Sequence, residues 1–153
     1  MATAVRETVL AALEAALAGI ASVPGLRVAR NRRAPVDGER DLATGPLIVL
    51  RDGDQERLAS PSALAHYRAT ARIEAFARAD TAGSAETTLE ALYAAIASAV
   101  ETDPGLVAAA FRVRAGDVIP GIDAEAGHRS AAAYLIPVVV EYHTAADDPS
   151  VAA

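Results

Sequence analysis

The chain has 153 residues, 52% hydrophobic and 22% charged, a length and balance that suit one globular domain rather than two independent cores. Its net charge of −6 and pI near 5.0 set the molecule as a whole against phosphate backbones and anionic membranes, whereas a general nucleic-acid binder is basic. With no cysteine there is no disulfide, no thiolate metal site and no cysteine nucleophile.

Alanine makes up about a quarter of the chain and buries little area per residue, so the core is placed by the pattern of the large apolar residues. All 14 basic residues are arginine. The longest uncharged apolar stretch, 131–140, contains a proline and is about half the ~20 residues that a membrane span needs. The amino terminus lacks a basic flank followed by an apolar run, so no secretory signal is expected.

From residue 3 to about 22, Val9, Leu13, Leu17 and Ile20 recur at helical spacing, with Thr3 as the expected N-cap and Val23-Pro24-Gly25 as the stop. Residues 26–30 alternate as a short half-buried strand, and the polar stretch 31–45 reads as a long loop. Leu47-Ile48-Val49-Leu50 is an apolar strand. The following Asp52-Gly53 pair predicts a hairpin turn, with a return around residues 55–58.

Residues 66–78 alternate. Tyr67, Ala69, Ala71, Ile73, Ala75 and Ala77 share one face, and their small size predicts a helix lying close to the sheet. His66, Arg68, Thr70, Arg72, Glu74 and Arg78 share the other face, where Phe76 is the odd member, either a sheet-end contact or a subunit contact. A second helix, 84–102, carries Leu89, Leu92, Tyr93, Ile96 and Val100, is capped by Ser84 and ends at Asp103-Pro104-Gly105. Residues 106–110 fit a helical turn or a strand, 111–115 a strand, and 116–127 a second polar loop. The last strand, 130–144, holds Pro137, which requires an edge, a bulge or a kink there. A mobile tail is expected from about residue 145. These elements predict a single α+β domain over 1–153, a small mixed, largely antiparallel sheet packed against two amphipathic helices.

Chemistry-bearing patterns are sparse. His66, His128 and His143 are far apart in sequence and read as surface histidines; Asp52-Gly53-Asp54 reads as a turn and Asp147-Asp148 as a solvated tail. There is no Gly-rich phosphate cradle, no nucleophile elbow and no carboxylate pair in apolar flanks, so no catalytic residue, metal ligand or cofactor is assigned. The candidate contact residues are Arg30, Arg32 and Arg33 beside Asn31, with Asp37, Glu39 and Asp41 following in the same loop. That mixture of signs fits protein–protein complementarity. Serine in place of all three arginines is expected to leave the subunit folded while weakening its contacts. Arg68 and Arg72 would form a basic stripe with Arg112 and Arg114 if their strands were neighbours.

The order of these elements resembles the tail terminator or tail-completion proteins of long-tailed bacteriophages and phage-like gene transfer particles. The resemblance spans nearly the whole chain. It rests on the first helix ending in Val23-Pro24-Gly25, the loop entry Arg30-Asn31-Arg32-Arg33-Ala34-Pro35 and the strand Leu47-Ile48-Val49-Leu50-Arg51-Asp52-Gly53. To these it adds the strand Arg72-Ile73-Glu74-Ala75-Phe76, the helix around residues 89–100 and the closing Val139-Val140-Glu141-Tyr142-His143-Thr144 with Asp148-Pro149. It implies a non-enzymatic virion subunit of the tail neck, assembled in the host cytoplasm. A ring of such subunits, six by the family's pattern, caps the tail tube, ends its polymerisation and offers a surface to the head connector. The implied partners are the chain itself, the tail tube protein and the head–tail connector, with DNA passing through the bore without specific binding, no membrane and no cofactor. The alternatives are a head–tail connector or head-completion protein, or a small α+β enzyme or ligand-binding domain using 31–45 as a lid.

Overall fold

A computed structural model describes residues 4–60, 63–79, 83–121 and 131–153. Helix α1 (Val5–Ala18) forms where Val9, Leu13 and Leu17 recur on one face, with Val5, Leu10 and Ala16 widening the buried stripe. It is shorter than its periodicity predicts. Ala4 takes the N-cap position without a side-chain bond, and Gly19, a poor helix former, ends the helix with its N–H on the Ala15 carbonyl at 3.0 Å. Thr3, the expected cap, lies outside the described residues.

The sheet contains β1 (Arg27–Arg30), β2 (Leu47–Leu58), β3 (Leu64–Arg78), β4 (Arg112–Ala115), β5 (Ile119–Gly121), β6 (Ala131–Ala145) and β7 (Asp148–Ala152). Its order is β1-β2-β3-β6-β4, with β5 and β7 also paired to β6. The β1–β2 pair is parallel and the others are antiparallel. Helices α2 (Ala85–Thr102) and α3 (Pro104–Ala109) complete the α+β fold. Leu10, Leu13, Leu89, Leu92 and Ile96 of the helices share one core with Ile48, Leu50, Ile73, Ile136 and Val138 of the sheet. Ala69, Ala71, Ala75 and Ala77 are buried, and α2 lies over β3, β4 and β6, the close approach that those alanines predict. Among the described residues no helix is long and apolar enough to cross a membrane.

Four features differ from the sequence-based expectations. First, Asp52-Gly53 makes no hairpin. Residues on both sides of it pair with the same strand, β3, and the pair sits in an irregularity between Asp52 and Gln55. Glycine is needed there because a Cβ at Gly53 would come within 2.7 Å of the Thr70 carbonyl oxygen. Second, β6 is interior, yet Pro137 fits it. The Gly116 N–H donates to the Pro137 carbonyl at 2.7 Å, and beyond this bond lies the gap between β4 and β5, where no strand asks for the missing N–H. Third, β5 occupies part of the polar loop 116–127; residues 122–130, including His128, lie outside the described residues. Fourth, where a mobile tail is predicted, β7 folds back on β6, and Asp148 Oδ1 accepts from the Ser150 N–H at 2.9 Å and hydroxyl at 2.6 Å.

The open stretch 106–110 resolves as α3. Pro104 supplies its first turn and Asp103 Oδ2 accepts from the Leu106 N–H at 3.0 Å. Ser84 caps α2 as expected, its Oγ accepting from the Thr87 N–H at 3.1 Å. Ser84→Ala is expected to lower stability by about 1 kcal/mol in chemical denaturation, with Ser84→Asp keeping most of it; an unchanged midpoint in the alanine variant would show the cap to be idle.

Candidate functional site

The loop 31–45 folds onto the outer face of the sheet. Its Val36 and Leu42 form a second small core with Leu47 and Val49 of β2, against which Phe76 and Ala29 pack. Phe76, a candidate contact residue, is thus half-buried beneath this loop of its own chain. The odd aromatic on a polar face marks the point where the loop covers the sheet.

The arginine cluster divides the same way. The Arg30 side chain is 15% exposed and joins three elements: its guanidinium donates to Asp52 of β2 at 3.0 and 2.8 Å and to Glu7 of α1 at 2.6 and 2.9 Å. These bonds hold the Asp52 and Glu7 carboxyls below their ordinary values, and raise Arg30. Asn31 adopts φ +51°, which asparagine tolerates, and its side-chain oxygen accepts from the Asp52 N–H at 3.0 Å. Arg6 donates to the Gly53 carbonyl at 3.0 Å. The Asp52-Gly53 irregularity is therefore the anchor on which α1, β1 and the loop entry meet.

Arg32 holds the loop closed, donating to the Ala34 and Pro35 carbonyls and to Asp41 Oδ2 at 2.6 Å. Arg27 donates to the Asp41 carbonyl. Asp41 lies below the usual carboxylate range, chiefly through the Asp37 backbone N–H and also through Arg32. Asp37 is lowered by the backbone N–H groups of Arg40 and Glu39, the geometry of a capped turn. Arg33 alone of the three arginines is exposed without a partner among the described residues. The expectation that all three serve external contacts is corrected: Arg30 and Arg32 are spent inside the chain, so the triple serine variant loosens the fold as well.

On the uncovered half of the outer face the expected stripe is interrupted: β3 and β4 are not neighbours but flank β6, which puts Glu141 between Arg68 and Arg112. Glu56, Arg68, Glu141 and Arg112 stand in one row across four strands. Arg68 bonds Glu56 at 3.0 Å and Glu141 at 3.4 Å, while His66 reaches Glu141 at 3.2 Å. Arg68, Arg112, Arg114, Gly116, Val139 and Glu141 line an open groove of about 430 Å³. The His66 and His143 rings lie 4.7 Å apart and Phe111 packs 4.8 Å from His143, so two histidines read as separate meet across strands. No cluster of three or more metal-ligating side chains occurs among the described residues. Tyr142 is pushed up to about 12 by burial, its hydroxyl donating to Gln55 at 2.6 Å.

Sequence reasoning missed one surface. Phe111 is 63% exposed, Val107 57% and Val151 49%. Phe111 borders a shallow cavity of about 190 Å³ with Ala108 of α3, His143 of β6 and Ala152 of β7. Period two groups Phe111 with the half-buried Val113 and Ala115, but β4 begins only at Arg112, so the alternation does not reach it.

Together these features define a small α+β domain with one sheet face under helices and the other only partly covered by its own loop. No known family model matches the chain, and no curated protein matches it either.

Proposed function

We propose that the chain is a structural subunit that assembles into a closed ring, and that this ring caps the head-proximal end of a bacteriophage-type tail tube. The observation that carries the assembly reading is the exposed Phe111 ring, which borders a cavity with Ala108 and Ala152 immediately before the edge strand β4. An exposed aromatic beside an apolar cavity and a sheet edge is a surface that partners cover. The order of the sequence elements supports the tail-end assignment. In this reading the ring stops tube polymerisation, offers a face to the head connector, resides in the virion neck and leaves DNA free in the bore.

The ring arises from different surfaces meeting on adjacent copies, since only heterologous contacts close into rings of more than two. Mass photometry at rising concentration, with and without tail-tube particles, is expected to show a discrete closed species on the tube end. Phe111→Ser is expected to weaken assembly by about tenfold while leaving the melting transition intact, because the ring is largely solvent-exposed in the single chain. A wild-type chain that stays monomeric at high concentration and leaves tube length unchanged would overturn the proposal.

A further inference from the structure

The outer face holds more positive charge than its own chain neutralises. Arg51 and Arg72 stand directly opposite each other on β2 and β3, an unfavourable like-charge pair. Arg51 turns to Glu74 at 2.7 Å and to the Arg32 carbonyl at 2.7 Å, which leaves Arg72 exposed. Arg114 faces Val139 across the β4–β6 pair, and Arg112 faces Glu141, which Arg68 and His66 already bond. Arg72, Arg112 and Arg114 are all exposed and have no ion pair among the described residues.

The opposite layer of the molecule carries the matching excess. Helix α2 has no basic residue, and Glu86, Glu90 and Glu101 are exposed along it. Offsets of four and eleven residues bring the three onto one stripe of the helix, which also carries the half-buried Tyr93 and the small Ala94 and Ala97. None of the three has an ion pair among the described residues; Glu90 accepts the Tyr134 hydroxyl at 2.6 Å. Because α2 packs on the inner face of the sheet, the acidic stripe and the arginine groove belong to opposite layers and cannot neutralise each other within one chain.

We propose that the groove lined by Arg68, Arg112 and Arg114, with Arg72 beside it, receives the Glu86–Glu90–Glu101 stripe of α2 from a second copy of this chain. The spacing fits. Four helical residues rise about 6 Å, and two strand residues span about 6.8 Å, so Glu86 and Glu90 match the separation of Arg112 and Arg114. A contact between opposite layers is heterologous, so each added copy presents a fresh groove and a fresh stripe. The contact stands on charge and spacing; that the resulting series closes on a tail tube rests on the function proposed above. A phosphate polyanion fits the groove less well, because Glu56 and Glu141 share the row with the arginines.

A charge swap tests this with the full chain. Arg112→Glu/Arg114→Glu and Glu86→Arg/Glu90→Arg, all at exposed positions, are expected to stay folded with a melting transition only slightly lowered, since the first sets a glutamate opposite Glu141 and the second gives up the Tyr134 hydroxyl. Each alone is expected to associate at least about tenfold more weakly in sedimentation at low salt, and wild-type association is expected to fall as salt rises. Mixed in equal amounts, the two variants are expected to recover association, because both kinds of junction are again complementary. Variants that associate like the wild type, or a mixture that does not recover, would overturn the contact. Open chains from the recovered mixture would support the contact while denying the closed ring; closed wild-type rings indifferent to both variants would do the reverse. A short fluorescent DNA duplex is the control. If the arginine variant loses DNA binding while its self-association is unchanged, the groove serves nucleic acid and the proposal fails.

Discussion

Leu13→Ala is expected to lower the unfolding free energy by about 2–5 kcal/mol in urea denaturation at neutral pH. Leu13 is fully buried in the shared core of the helices and the sheet. Truncation removes its apolar area from that core and leaves a cavity that neighbours on two layers fill only in part. Leu13→Met, close in volume, is expected to cost under about 1.5 kcal/mol. An alanine variant that loses less than ~1 kcal/mol would place α1 at the periphery, contrary to its packing.

Arg30→Met is expected to lower stability by about 2–3 kcal/mol at pH 7, with a smaller loss in acid. The substitution keeps much of the side chain's apolar stem and leaves Asp52, whose side chain is 20% exposed, without its two charged bonds. Glu7 is about half exposed, so its share is screened by solvent and small. The sign follows from the direction of the carboxyl shifts. Asp52 and Glu7 are lowered by Arg30 from 3.8 and 4.5, so their contribution is present above those unfolded values and is lost as pH falls through the lower folded ones. Denaturation of wild type and variant at pH 7 and near pH 3 checks this. A difference that does not narrow in acid would mean that Arg30 acts by packing and not through its charge.

Much of the fold is legible in the residues because its signals are local. Helix α2 and strand β6 fall within a residue of their predicted limits, since apolar residues at period 3.6 or 2 bury one face whatever lies opposite. The site is less legible. Arg30, Arg32 and Phe76 look like contact residues on a polar loop and a polar face, yet each is occupied inside the chain. Phe111, the most exposed of the large apolar residues, stands one position outside a regular strand and carries no pattern.

From its sequence alone this protein's α+β class, its helix faces and the close helix-on-sheet packing of the β3 alanines follow, because each depends on spacing within about twenty residues. Tertiary structure alone decided that Asp52-Gly53 bends a strand instead of reversing it, that the tail pairs with β6, and that Arg68 and Arg112 stand on either side of Glu141. Those outcomes depend on which strands become neighbours. A turn preference of about 1 kcal/mol yields when a continuous ladder and a shared core gain more by running through it.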